Sequence, residues 1–459
     1  MSRFNENDFK NVCKKINDNL ERVYQIYSDL LHGNFSWALF IEYQNILMDS
    51  LYEEKKAEIT LKKIRKDVRK GLDKSVKEEH LNYCIDKLQF LERNIKIFGD
   101  FLCWTFYKND QDLIDEHIKK KTVNINSFGS GIVAEIELLR KINVPENPEF
   151  YIYNAISSFL RIGDLSIFDK YTFRIVGLGE IKSSVPENGQ MKVSLDMIVK
   201  NNNSVYYPKN MHAKVEEDKT FLNEEMLSHL KQQVEEMKSS FNPQNLPKKI
   251  DKEVASFHFE ALKKVIEECD INNAAYVKVS DDILYVAAKN EYENSIDYKK
   301  IIPKDVVEKM LVKNPLAGQN QIGIQQLNLL SDGKNLPYLY YPIPIDTLKK
   351  GLNQTISIVY SFNKVVEEFN KLGFEYTTKK KIPFLQKKTD QNLIKVDLRC
   401  VCDYYINMFL DENGAIDLIK TMLDLSDDDS LPPNRKIFVN VKNIMTKKSK
   451  ATKKGNNKK

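Results

Sequence analysis

The chain has 459 residues, of which 42% are hydrophobic and 29% charged, enough apolar mass for several packed cores and too much length for one. The net charge of +5 is misleading. The last thirteen residues, KKSKATKKGNNKK, hold seven lysines and no acid, which leaves 63 basic against 65 acidic residues in the rest of the chain. A uniformly basic nucleic-acid-coating protein is thereby excluded, and any attraction of the folded body for phosphate has to be local. No apolar run reaches the roughly 20 residues that span a bilayer. The polar start MSRFNENDFKNVCKK has no apolar signal core, so a soluble, cytoplasmic protein without a membrane partner is expected.

Residues 1–121 read as helical. Long stretches lack Gly and Pro, and apolar residues recur at three- and four-residue spacing, as in Leu81, Cys84, Ile85, Leu88, Leu91 and Ile95. Three to five helices packed as a bundle are expected, with a surface for a partner protein or a second copy of the chain. The basic block at 62–70 reads as a solvated helix face.

Residues 122–250 form the next domain. A helix is expected over 132–142, stopping before Pro145. At about 100° per residue from Ile132, Glu135 falls among the apolar positions and Glu137 among the polar ones. Glu135 is therefore an inward-facing acid, uncommon without a partner.

The stretch 159–184, FLRIGDLSIFDKYTFRIVGLGEIKSS, has two β-branched apolar runs around a polar break at Asp169-Lys170-Tyr171, the pattern of a hairpin. Asp164 sits on the first run. Glu180 and Lys182 sit two apart on the second, hence on one strand face. Two carboxylates and an ammonium on one patch are costly unless a cation or an anionic substrate joins them. A third strand follows at 190–200, then a helix over 221–241 that carries Gln232 and Gln233.

The helix with Glu135, the pair Gly163-Asp164 and the run Glu180-Ile181-Lys182 together resemble the PD-(D/E)xK nuclease superfamily, over about 129–240. The resemblance implies an α/β fold with a restriction-endonuclease-like αβββα core, flanked by the N-terminal helical domain and a C-terminal α+β domain. It implies a Mg²⁺-dependent nuclease (Mn²⁺ as a substitute) hydrolysing phosphodiester bonds, with DNA as the expected nucleic-acid partner. An endonuclease of bacterial restriction or antiviral defence is the analogy at the level of the fold. Asp164, Glu180 and the carbonyl of Ile181 would hold the metal, with Glu135 adding a ligand directly or through water. Lys182 would stabilise charge on phosphorus, and Gln233 (or Gln232) would hold the phosphate. Gly in place of Pro before Asp164 departs from the family's pattern.

The competing reading is a cross-strand ion pair between Asp164 and Lys182 in a non-catalytic nucleic-acid-binding or scaffold protein. The six cysteines and six histidines are scattered and lack the spacing of a zinc knuckle or of His-Glu-x-x-His. Residues 251–446 read as a mixed α+β accessory domain: a helix over 254–269, a hairpin over 274–288, a strand turning into a helix over 354–372, and strands at 393–401 and 437–441. The tail at 447–459 is expected to be disordered.

Overall fold

The computed structural model describes residues 4–34, 36–72, 75–119, 130–184, 192–200, 206–211, 258–289, 297–311, 323–331, 333, 337–379, 382–388, 393–407, 409–424 and 436–439. The chain divides into two compact units. The first comprises Met1–Gln244 with Leu329–Tyr341, and the second Asn245–Asn328 with Pro342–Lys459.

Three long helices open the first unit: α1 (Glu6–Leu31), α2 (Trp37–Arg69) and α3 (Glu78–Tyr107). Their starts are written in the sequence. Asn5 caps α1 by accepting from Asn7 N at 3.0 Å, and Ser36 caps α2 by accepting from Leu39 N at 3.2 Å. The apolar stripes bury Ile16, Val23, Tyr27, Leu47, Leu88 and Leu102 between the helices. A short α4 (Gln111–Lys119) and α5 (Ser130–Ile142) follow.

The strands are β1 (Glu149–Tyr153), β2 (Leu165–Asp169), β3 (Arg174–Ser184), β4 (Lys192–Lys200) and β5 (Tyr206–Met211). They form one antiparallel sheet in chain order. The hairpin expected over 159–184 is β2–β3. Its turn is closed by Asp169, whose Oδ1 accepts from Tyr171 N at 2.7 Å and from Thr172 N at 3.2 Å. The αβββα order expected from the resemblance differs from the five-stranded meander found. The helix expected over 221–241, with Gln232 and Gln233, lies outside the described residues, as does the tail at 447–459.

The bundle and the sheet were expected as separate domains, at 1–121 and 122–250. They are instead one compact unit because aromatic residues join them. Trp37 and Phe106, from α2 and α3, pack on Phe150 and Phe168, from β1 and β2, with ring centroids 4.7–6.2 Å apart. Beside them, Gln44 of α2 donates to Tyr151 O and accepts from Tyr153 N. Asn143 makes the same kind of pair with Tyr151. Side-chain amides thus satisfy the open edge of β1, which would otherwise template another strand.

In the second unit α6 (Phe259–Asn272) packs on β6 (Ala274–Lys278) and β7 (Ile283–Lys289), in a four-stranded antiparallel sheet with β8 (Gly323–Gln326) and β9 (Gln354–Tyr360). A second four-stranded sheet contains Leu393–Asp397 paired in parallel with Lys436–Val439. The strand expected over 393–401 stops at Asp397, whose carboxylate accepts from Arg399 N at 3.0 Å and opens the helix Arg399–Asn407. Helices and sheets mix in both units, an α/β chain in the broad sense. No described helix is long and apolar enough to cross a membrane.

Candidate active site at the open end of the hairpin

β3 is longer than its partner. Leu165, the first residue of β2, pairs with Gly179, while β3 runs on to Ser184 against β4 alone. The overhang leaves a notch beside Glu180–Ser184, and Asp164 fills its mouth. Asp164 N donates to Gly179 O at 2.9 Å, and Asp164 Oδ2 accepts from Ile181 N at 2.7 Å. In an extended strand the N–H and C=O of one residue point to the same edge. The carbonyl of Ile181 therefore opens toward the same notch as the Asp164 carboxylate. Asp164 thus stands just ahead of β2, not on it, and bonds β3 backbone.

Glycine makes this approach feasible. Gly163 has φ +67°, and a Cβ there would lie 2.7 Å from Gly179 O. Gly163→Ala is expected to destabilise the full-length protein by about 2 kcal/mol or more, through left-handed strain and a backbone clash. Urea denaturation checks this, and an unchanged midpoint would contradict it.

The segment leading into Asp164 is held by a buried polar ring. His117 of α4 is fully buried and accepts through Nδ1 from Arg161 N at 2.9 Å and Ile162 N at 3.1 Å. With two donors on Nδ1, the neutral ring carries its proton on Nε2, which faces Tyr107 Oη at 3.0 Å. Tyr107 donates to Ser166 Oγ at 2.6 Å, and Ser166 donates to Asn154 Oδ1 at 2.7 Å. Asn154 Nδ2 donates to Ile162 O at 2.9 Å and to Gly163 O at 3.2 Å, which closes the ring. Asn154 N also donates to Asp164 O at 2.9 Å. All donors run in one direction, so each bond polarises the next. Burial, with the nearby Arg161 charge, pushes His117 down to about 3.

A second clamp lies on α3. Asp100, 1% exposed, accepts from Ser157 Oγ, Ser158 N, Ser158 Oγ and Ser331 N at 2.6–2.9 Å. Burial nevertheless raises its carboxyl to about 6. Lys96, one turn earlier, donates to the carbonyls of Ala155 and Ser157.

Glu180 and position 182 share one face of β3, as expected from the spacing. The side chain of Lys182 lies outside the described residues. Register places Asp196 of β4 opposite Glu180 and Ser194 opposite Lys182. Directly opposite residues share a sheet face, so positions 180 and 196 are neighbouring acids. Sequence reading passed over Asp196, although an Asp inside an apolar strand run is itself unusual.

Glu135 is in a different place. It is half-buried on α5, and the Tyr153 hydroxyl donates to its Oε2 at 2.8 Å. Burial raises its carboxyl, and the Tyr153 bond partly offsets this. Tyr153 pairs with Leu165 and so belongs to the face of Leu165, Gly179 and Ile181, opposite to Glu180. A Cβ on Gly179 would meet Leu165 and Leu195 side chains at 2.6 and 3.1 Å, so that face is packed, as is the opposite one, which carries the buried Phe150, Ile152, Ser166 and Phe168. Through Tyr153, Glu135 therefore meets the sheet on the face opposite to Glu180. Among the described residues, these three acids do not bring their oxygens within 4.8 Å of one another as a group. The link between Glu135 and the notch is Tyr153, whose hydroxyl is held well above the usual phenol range by burial, then Glu135, then Asp164.

The oxygens at the notch are those of Asp164 and the Ile181 carbonyl, and Glu180 is the neighbouring acid on a face of β3. That set suits a hard cation such as Mg²⁺ or Mn²⁺ and not Zn²⁺. Comparison of the chain with family models, with curated proteins and with solved structures finds no match.

Proposed function

We propose that the protein is a Mg²⁺-dependent nuclease whose site is the notch at the open end of β2–β3. The observation that carries this is Asp164 bonded to Ile181 N beside the Glu180-x-Lys182 strand face, with a second acid position opposite Glu180. Asp164, Glu180 and the Ile181 carbonyl would hold the ion, which when bound withdraws charge from a phosphoryl oxygen and acidifies a bound water. Lys182 offsets negative charge on the phosphate being attacked. Glu135 acts through Tyr153, fixing the end of β1 against the notch. The restriction-endonuclease-like core, the DNA substrate and a role in antiviral defence rest on the resemblance of Asp164, Glu180 and Lys182 to the PD-(D/E)xK pattern.

The test is cleavage of supercoiled plasmid and of single-stranded RNA by the full-length protein in Mg²⁺ or Mn²⁺. Cleavage of the plasmid is expected, lost with chelator and lost in Glu180→Gln and Lys182→Ala. Undiminished cutting by either variant would refute the site. A non-catalytic binding role is favoured by one observation, the placement of Glu135 away from Glu180. Plasmid binding without any metal-supported cutting would establish that role instead.

A further inference from the structure

A second group of ligand-type side chains lies at the other end of the bundle. Glu6 is the first residue of α1, and His80 and Cys84 are one turn apart near the start of α3. A four-residue step on a helix puts both side chains on one face. His80 Nε2 lies 2.8 Å from Glu6 Oε2 and 3.8 Å from Cys84 Sγ, and the three donor atoms all fall within 4.8 Å of one another.

A half-exposed Glu–His contact alone would be an ordinary ion pair. The buried thiol on the same imidazole nitrogen is what an ion pair leaves unexplained. With a metal–nitrogen distance of about 2.05 Å, metal–sulfur about 2.3 Å and metal–oxygen about 2.0 Å, tetrahedral angles separate N from S by about 3.6 Å and N from O by about 3.3 Å. The His80–Glu6 pair then has to open by about 0.5 Å and the His80–Cys84 pair to close by about 0.2 Å. The His80 ring is already oriented: Phe4 meets it edge-on at 5.4 Å and Tyr83 stacks on it at 6.1 Å between centroids. Side-chain exposures of 40% for Glu6 and 41% for His80 leave an entry path, while Cys84 is fully buried behind them.

We propose that Glu6, His80 and Cys84 form a three-ligand site for a borderline-soft divalent ion, Zn²⁺ being the best fit, with water completing the tetrahedron. Thiolate and imidazole donors disfavour Mg²⁺, so this site is independent of the notch on β3. Binding ties the start of α1 to the start of α3. It releases the proton of the Cys84 thiol, because the thiolate is the ligand.

The experiment uses reduced, chelator-stripped full-length protein titrated with Co²⁺ and then Zn²⁺. One equivalent of Co²⁺ is expected to bind with thiolate-to-cobalt charge-transfer absorption and release of protons, and Zn²⁺ is expected to displace it. Cys84→Ser should abolish that absorption, and His80→Ala should weaken Co²⁺ binding by at least about 100-fold. Cys269→Ser, a thiol in the second unit, and Asp164→Asn, in the notch, should leave the thiolate-to-cobalt absorption unchanged. Absence of the thiolate absorption at one equivalent, or its survival in Cys84→Ser, would overturn the proposal.

Discussion

Asp164→Asn is expected to lower Mg²⁺-supported phosphodiester cleavage by on the order of 10²–10³-fold while leaving the fold intact. The substitution is close to isosteric. An Asn carbonyl oxygen still accepts from Ile181 N, the bond that Asp164 Oδ2 makes at 2.7 Å, and the backbone bonds from Asp164 N to Gly179 O and from Asn154 N to Asp164 O are untouched. What disappears is the negative charge at the mouth of the notch. A hard divalent cation held by one or two carboxylates loses most of its attraction when one becomes an amide. The expected signature is therefore a collapse in turnover with an unchanged unfolding transition. A variant that unfolds more easily and cuts normally would assign Asp164 a structural role, that of capping β3 where β2 ends.

The second large effect concerns stability. His117→Ala is expected to cost about 4 kcal/mol. The change removes a fully buried ring, leaves Arg161 N and Ile162 N without their acceptor, and takes away the donor to Tyr107 Oη. Because the same ring of bonds holds Gly163 and Asp164, activity should fall with stability. His117→Ala is therefore expected to be rescued in part by low temperature, which Asp164→Asn is not.

The pH dependence of stability separates the histidine from a simple cavity. In the fold His117 titrates at about 3, below an ordinary value near 6.5. The folded state holds it neutral while the unfolded chain takes up the proton, so its contribution is complete above about pH 6.5 and is lost as pH falls. Between pH 7 and pH 5 the loss is about 2 kcal/mol from this residue. Asp100, raised to about 6, acts in the opposite sense, favouring the fold as it protonates. The difference between wild type and His117→Ala across pH 5–7 isolates the histidine. A constant difference would contradict the reading.

How much of this was legible in the sequence follows from the range over which each signal acts. The hairpin could be read because alternation and a turn at Asp169 are local, and the strand pairing agrees with both. Glu135 could be placed on an inward helix face by angle alone, but angle does not say which side of the sheet that face meets. The register through Tyr153, Leu165 and Gly179 decides that, and it parts Glu135 from Glu180. The union of bundle and sheet is not legible locally because the rings that join them, Trp37, Phe106, Phe150 and Phe168, look like ordinary core residues of whichever element they lie on. Tyr107, His117, Asn154 and Ser166 carry no common spacing. They become a network only when α3, α4 and the start of β2 meet. Glu6 and Cys84 are likewise 78 positions apart, and only the His80–Cys84 step could have pointed to a site.

Calorimetric titration of the full-length protein with Mn²⁺ decides whether the notch holds a metal ion that depends on Asp164. The measurement is made in a His80→Ala background, so that the cluster on α1 and α3 does not contribute. One saturable site is expected, and it disappears on adding Asp164→Asn. An identical isotherm with and without Asp164→Asn, or no saturable binding in either protein, would contradict it.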